Sequence, residues 1–186
     1  MPRISPLDPP YPDEVEDVLR PMMPPGVPPI ALFRTFARNV PMTQAMQGWG
    51  GYELSRELSL DLRTRELVID RTCARCGAEY EWGVHVAFFA EAADLTAEQI
   101  TSITHGGPAD GCWVDAGERA IIEAVDQLHD TSAIDDRLWA ELADHLDEQQ
   151  LLDLLLLCGW YHAISFVARA AGVPLEAGAP TFADVR

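Results

Sequence analysis

The sequence contains no lysine: its 13 lysine-plus-arginine positions are all arginine, against 30 aspartates and glutamates. The formal net charge is −17. A surface this negative repels the phosphates of nucleic acids, so we expect no nucleic acid among the partners.

Signals for export or for crossing a membrane are also weak. The first residues, Met-Pro-Arg-Ile-Ser-Pro, lack the charged-then-apolar pattern of a signal peptide. The most apolar run, residues 151–168, includes Asp153 and His162 and falls short of the roughly 20 apolar residues that span a bilayer. We therefore expect a cytoplasmic chain with no membrane partner, in which this run is a buried core helix.

Strand patterns are absent from the sequence, and apolar residues recur at helical spacing instead. Residues 1–29 hold ten of the fourteen prolines, which predicts an extended arm with a possible helical turn at residues 13–20. The arm can lie on its own chain, lie on a neighbouring subunit, or be a mobile tail. Residues 30–186 are predicted to form a single all-α domain of about seven or eight helices.

Capping signals locate several helix ends. Asp61 is a candidate N-cap, and Gly77 fits the position just past the end of the same helix. The next helix is predicted to run from Ala78 to about Ala93. Further helix starts are predicted at Thr96, which forms a capping box with Gln99, and at Asp115, Asp135 and Asp147. The last helix is predicted to end at Gly172.

Residues 65–89 hold the groups best suited to chemistry. Glu66 lies at the edge of an apolar helix face, where it is either solvated or a partly buried carboxylate suited to proton transfer. Glu81 and His85 are four residues apart and share one side of a helix, so the carboxylate can orient the imidazole. The pair can also be an ordinary surface pair, or two ligands of a metal site whose other ligands cannot be named.

Cys73 and Cys76 form a Cys-x-x-Cys pair in the predicted last turn of a helix. The helix dipole disfavours a thiolate there. Nine residues also separate Cys76 from His85, which is roughly 13 Å along a continuous helix. A redox role therefore depends on how the chain folds at Gly77.

The remaining cysteines and histidines show no spacing typical of a metal site. Cys112 and Cys158 stand singly and are expected to be packing residues, and His162 a core or interface residue. His105, His129 and His145 fall near predicted helix C-termini, where the dipole alone favours an imidazolium. The sequence predicts no metal and no cofactor.

Three segments together resemble the carboxymuconolactone decarboxylase superfamily, which includes the alkyl hydroperoxidase D-like proteins. They are Arg-Glu-Leu-Val-Ile at 65–69, Ala-Glu-Tyr-Glu-Trp at 78–82 with His85, and the Ala-rich segment that leads to Leu-Thr-Ala-Glu-Gln-Ile at 95–100. The resemblance covers roughly residues 45–130. It implies an all-α fold that assembles into homodimers, trimers or hexamers.

The resemblance also implies site residues. In the peroxidase branch a glutamate, a Cys-x-x-Cys pair and a histidine act together. Glu66 and His85 occupy the first and last of these positions, whereas Ala78 and Glu81 occupy the two cysteine positions. Without those thiols, the resemblance implies acid/base chemistry by Glu66, Glu81 and His85 on a small carboxylated substrate, as in a decarboxylase-like lyase.

The substrate pocket is then expected to be lined by Ala78, Tyr80, Trp82 and Phe88. Five nearby arginines either attract the substrate or pair with acids on the same helix face: Arg56, Arg63, Arg65, Arg71 and Arg75. Two other functions remain open. One is a thiol-dependent hydroperoxide reductase that uses Cys73 and Cys76, and the other is a non-catalytic oligomer that binds a small ligand.

Overall fold

The structure, a computed structural model, describes residues 1–185 and is all-α, which confirms the predicted fold class. The described residues contain no strand. The helices are α1 Asp13–Leu19, α2 Ala31–Phe36, α3 Val40–Glu53, α4 Leu62–Arg75, α5 Glu79–Phe89, α6 Ala97–His105, α7 Ala116–Thr131, α8 Asp136–Ala143 and α9 Glu148–Ala171.

Helix α4 is the centre of the molecule and packs against α5, α6, α7 and α9. Every residue from 65 to 73 is buried, including two arginines, a glutamate and an aspartate. Burial of a charged group is costly unless it is paired or hydrogen-bonded. The helices that pack against α4 must therefore supply partners for its buried charged groups.

Helix ends occur where the capping residues predict them. The side chains of Asp61, Asp115, Asp135 and Asp147 each accept a hydrogen bond from a backbone N–H in the first turn of the following helix. Thr96 and Gln99 form the predicted capping box. Gly77 and Gly172 adopt positive φ angles of 64° and 66° just past α4 and α9, a conformation that glycine adopts without strain.

In the N-terminal arm, residues 13–19 form helix α1, at the place of the possible helical turn, and this helix packs on its own chain. Val15, Val18 and Leu19 are buried in a small apolar cluster with Ala37. Before α1, the N–H of Arg3 donates to Ala171 O and that of Leu7 to Arg34 O. The prolines flank α1 rather than interrupt it, so they do not prevent the helix.

The C-terminal segment, residues 173–185, covers the outer side of α5. The Glu176 carboxylate accepts hydrogen bonds from Tyr80 Oη and from the N–H of Ala31. Phe182 packs edge-on against Trp82, with 5.0 Å between ring centroids. The other side of α5 is therefore the one that faces α4 and α9.

Helix α9, with 24 residues, is the longest in the described chain. By length and composition alone it could cross a bilayer, but half of its most apolar stretch is buried inside the molecule. Leu154, Leu157 and Tyr161 are among its core residues, as expected for a buried core helix.

Candidate active site

His85 lies between a carboxylate on α4 and a hydroxyl on α9. Its Nδ1 is 2.8 Å from Glu66 Oε2, and its Nε2 is 3.0 Å from Tyr161 Oη and 3.6 Å from Glu81 Oε1. Glu66 is fully buried, and His85 is 3% exposed. The structure thus brings together the three residues predicted for acid/base chemistry.

The turn at Gly77 explains how residues 19 positions apart meet. Glu66 lies about 16 Å before this turn along α4, and His85 about 12 Å after it along α5. The two helices pack against each other. The glutamate and the histidine consequently lie side by side across the helix pair.

Both oxygens of Glu66 are engaged. Oε2 faces His85, while Oε1 accepts from Arg65 Nε at 2.7 Å. The Arg65 guanidinium also lies over the Phe89 ring, 5.0 Å from its centroid, a favourable cation–π geometry. Glu66 is therefore a fixed anchor for the imidazole.

The charge state of His85 follows from these neighbours. Burial lowers its pKa, but the Glu66 and Glu81 carboxylates outweigh burial and raise the pKa to about 10. At neutral pH the ring is an imidazolium that donates from both nitrogens. The Nδ1 proton points at Glu66, so the Nε2 proton is the one available for transfer.

Sequence reasoning missed Asp70 and Tyr161. Asp70 is buried one turn after Glu66, and burial together with the Glu66 charge raises its pKa well above the usual range. Burial also raises the pKa of Tyr161, with further contributions from Glu81 and Glu66. The four-residue spacing from Glu66 to Asp70 was a usable signal, whereas nothing local marks Tyr161.

Two polar atoms near the histidine lack a hydrogen-bond partner among the described residues. They are Oδ1 of Asp70 and Oε2 of Glu81, both buried. A buried acceptor without a partner is costly. The Glu81 oxygen is thus available to a ligand that reaches the site.

The residues predicted to line a substrate pocket differ in burial. Ala78 and Trp82 are fully buried, and Tyr80 is 4% exposed with its hydroxyl bound to Glu176. Phe88 is 57% exposed. The C-terminal segment, whose course the sequence did not predict, contacts Tyr80 through Glu176 and Trp82 through Phe182.

The two cysteines of the Cys-x-x-Cys pair face different surroundings. Cys73 is fully buried, and burial raises its pKa well above the usual range. Cys76 Sγ lies 3.8 Å from His129 Nδ1, so its neighbouring imidazole is His129. Both thiols are free.

The arginines of α4 pair with acids. Arg63 contacts Glu118, Arg65 contacts Glu66, Arg71 contacts Asp126, and Arg75 contacts Asp126 and Asp130. Arg71 also donates to the carbonyls of Ile103 and Gly106. These guanidinium groups hold α4 to its neighbours, and the structure therefore favours the acid-pairing alternative for them.

Residues 41–127 match the Carboxymuconolactone decarboxylase family. No curated protein matches in sequence. Several solved structures share the fold at low identity, among them the three that follow. A peroxidase-related protein from Silicibacter sp. TM1040 is 16% identical with a TM-score of 0.79, over 98% of this chain and 96% of that one.

A peroxidase-related protein from Ralstonia eutropha JMP134, described as an alkylhydroperoxidase AhpD core, is 14% identical with a TM-score of 0.78, over 94% of this chain and 93% of that one. A variant of the debrominase Bmp8 in complex with 2,3,4-tribromopyrrole is 16% identical with a TM-score of 0.74, over 94% and 91% of the two chains. At these identities the likeness concerns the fold.

Proposed function

Because this chain belongs to the carboxymuconolactone decarboxylase and alkyl hydroperoxidase D-like superfamily, we propose that it is an acid/base enzyme acting on a small carboxylated substrate. The observation that carries the proposal is the position of His85, held by Glu66 at 2.8 Å and Tyr161 at 3.0 Å. Positioned, buried proton carriers of this kind are typical of general acid/base catalysis.

In the proposed mechanism His85 is the general acid. When a substrate carboxylate leaves as carbon dioxide, the electron pair of the broken bond stays on carbon. The Nε2 proton of His85 then moves to that carbon, directly or through the Tyr161 hydroxyl, and water restores the proton. Glu66 stabilises the imidazolium through Nδ1 and keeps its ring in place.

Glu81 has a separate proposed role. Its Oε1 lies 3.6 Å from His85 Nε2, and its Oε2 lacks a partner among the described residues. A carboxylate in this position can accept a proton from the substrate or orient the proton that His85 donates. It occupies the position at which the peroxidase branch has its second cysteine.

The thiol-dependent reductase receives less support from the geometry. Its nucleophile would have to be a thiolate, yet Cys73 is fully buried with a raised pKa. Cys76 lies against His129 rather than in the Glu66–His85 cluster. An acid/base role uses the side chains that the fold brings together without requiring a thiolate.

The experiment is a comparison of wild type with His85→Gln. Small cyclic carboxylates, including carboxylated lactones, are incubated in D2O, and carbon dioxide release and deuterium incorporation at carbon are measured. We expect His85→Gln to lower kcat by roughly 10²- to 10⁴-fold. His145→Gln, at an exposed position, is the matched control. Unchanged turnover in His85→Gln would refute the proposed role.

A further inference from the structure

A second cluster of reactive side chains lies outside the His85 cluster. Cys76 follows α4, His129 lies in the last turn of α7, and His162 lies in the middle of α9. One donor atom from each residue falls within 4.8 Å of the other two. All three residues line one cavity of about 840 Å³.

Two of the three separations between the donor atoms are close to those of ligands around a tetrahedral ion. His129 Nδ1 is 3.8 Å from Cys76 Sγ and 3.1 Å from His162 Nε2. With zinc–sulfur bonds of about 2.3 Å and zinc–nitrogen bonds of about 2.0–2.1 Å, tetrahedral angles give about 3.6 Å and about 3.3 Å for these two separations. Shifts of a few tenths of an ångström would therefore suffice to bind the ion.

Backbone contacts hold two of the three ligands in position. His162 Nδ1 donates to Cys158 O at 2.9 Å, which directs Nε2 towards His129. Such a bond from the second ring nitrogen is typical of metal-binding histidines. Arg169 donates to Cys76 O at 2.7 Å and fixes the backbone from which the thiol extends.

We propose that Cys76, His129 and His162 bind one zinc ion, with a fourth coordination position that opens into the cavity. One thiolate and two imidazoles suit zinc and do not suit magnesium or calcium, which prefer oxygen ligands. Three protein ligands with an open position are the arrangement of catalytic rather than structural zinc sites.

The cavity wall indicates what occupies the open position. Arg3, Arg75 and Arg169 line the same cavity, although the chain as a whole carries a net charge of −17. Arg75 is paired with Asp126 and Asp130, which offset part of the positive charge near the metal. Guanidinium groups beside an open metal position favour a small anion, such as a carboxylate or a phosphate.

The test measures the metal directly in the folded, full-length chain. Purified protein is incubated with zinc, dialysed against metal-free buffer and assayed for metal content by mass spectrometry. A parallel sample loaded with cobalt(II) is examined for thiolate-to-cobalt charge-transfer absorption. We expect about one zinc per chain, a charge-transfer band, and a change in the cobalt spectrum on addition of phosphate.

Substitutions then assign the ligands. Cys76→Ser is expected to remove the charge-transfer band, and His129→Gln and His162→Gln to weaken zinc binding at least tenfold. Cys112→Ser and His145→Gln, outside the cluster, are matched controls and should retain the metal. Circular dichroism verifies that each variant is folded.

Three outcomes would overturn the inference. They are wild-type protein that retains far less than one zinc per chain, a charge-transfer band that persists in Cys76→Ser, and a cobalt spectrum unchanged by phosphate. The first two remove the metal site, and the third removes its open position. His85→Gln leaves the three zinc ligands intact. Failure of the proposed acid/base function can therefore be distinguished from failure of the zinc site.

Discussion

At the scale of single residues, His85 is the group through which pH should act on stability. Its pKa is about 10 in the folded protein, against an ordinary value of 6.5. A raised folded pKa means that the native state binds the proton more tightly than the unfolded chain. The stabilisation is complete below about pH 6.5 and is lost as the pH rises through about 10.

We therefore predict that the free energy of unfolding falls by a few kcal/mol between about pH 6.5 and about pH 10. Urea unfolding at several pH values measures it. His85→Gln should reduce the slope of stability against pH, and this slope is a better readout than the absolute stability of the variant. Equal slopes in wild type and His85→Gln would contradict the prediction.

The residues of the candidate site differ in how far the sequence alone could identify them. Glu66, Glu81 and His85 were found because spacing and family resemblance are local properties of the chain. Tyr161 is 76 positions from His85 and meets it only through the packing of α9 on α5. His129 and His162 failed the spacing test for the same reason, since they come from two helices.

At the scale of elements, the contact between α5 and the C-terminal segment can be tested at Gly83. A Cβ built at this position would lie 2.5 Å from Pro180 O, a backbone atom. Alanine normally stabilises a helix interior by about 1 kcal/mol relative to glycine. We predict that Gly83→Ala instead destabilises the protein by about 1–3 kcal/mol, because the segment must shift.

Gly48 provides the matched control. It also lies within a helix, and a Cβ there meets no atom within 4 Å. Gly48→Ala should therefore raise the unfolding free energy by up to about 1 kcal/mol. Chemical denaturation of both variants decides the matter: a Gly83→Ala protein as stable as Gly48→Ala would show that the C-terminal segment does not press on α5.

Helix boundaries were predictable where one residue determines them. Asp61 and Gly77 delimit α4 through local backbone chemistry. Helix α1, in contrast, was predicted only as a possible helical turn. Contacts distant in sequence stabilise this helix, because its apolar face packs against Ala37.

At the scale of the whole molecule, we propose that the chain assembles into a homo-oligomer through α9. Leu152, Leu156 and Phe166 on this helix are 61%, 53% and 66% exposed. Their positions differ by four and ten residues, which places them along one stripe of the helix. An exposed apolar stripe of this kind is typical of a subunit interface.

We predict that Leu156→Glu shifts the oligomer towards the monomer, because the carboxylate would be buried without a partner in the interface. Size-exclusion chromatography with light scattering measures the mass. Leu54→Glu, at a leucine that is 43% exposed just past the end of α3, is the control and should leave the mass unchanged. A monomeric wild type would refute the assembly.

The exclusive use of arginine gives the cavity beside Cys76 a permanent electrostatic background. Guanidinium groups in general keep their charge throughout the pH range in which thiols and imidazoles titrate, and Arg3, Arg75 and Arg169 line this cavity. A lysine wall would begin to discharge near the upper end of that range. Any pH dependence of ligand binding in the cavity would therefore arise from the ligand, the cysteine or the histidines, because the guanidinium charge stays constant.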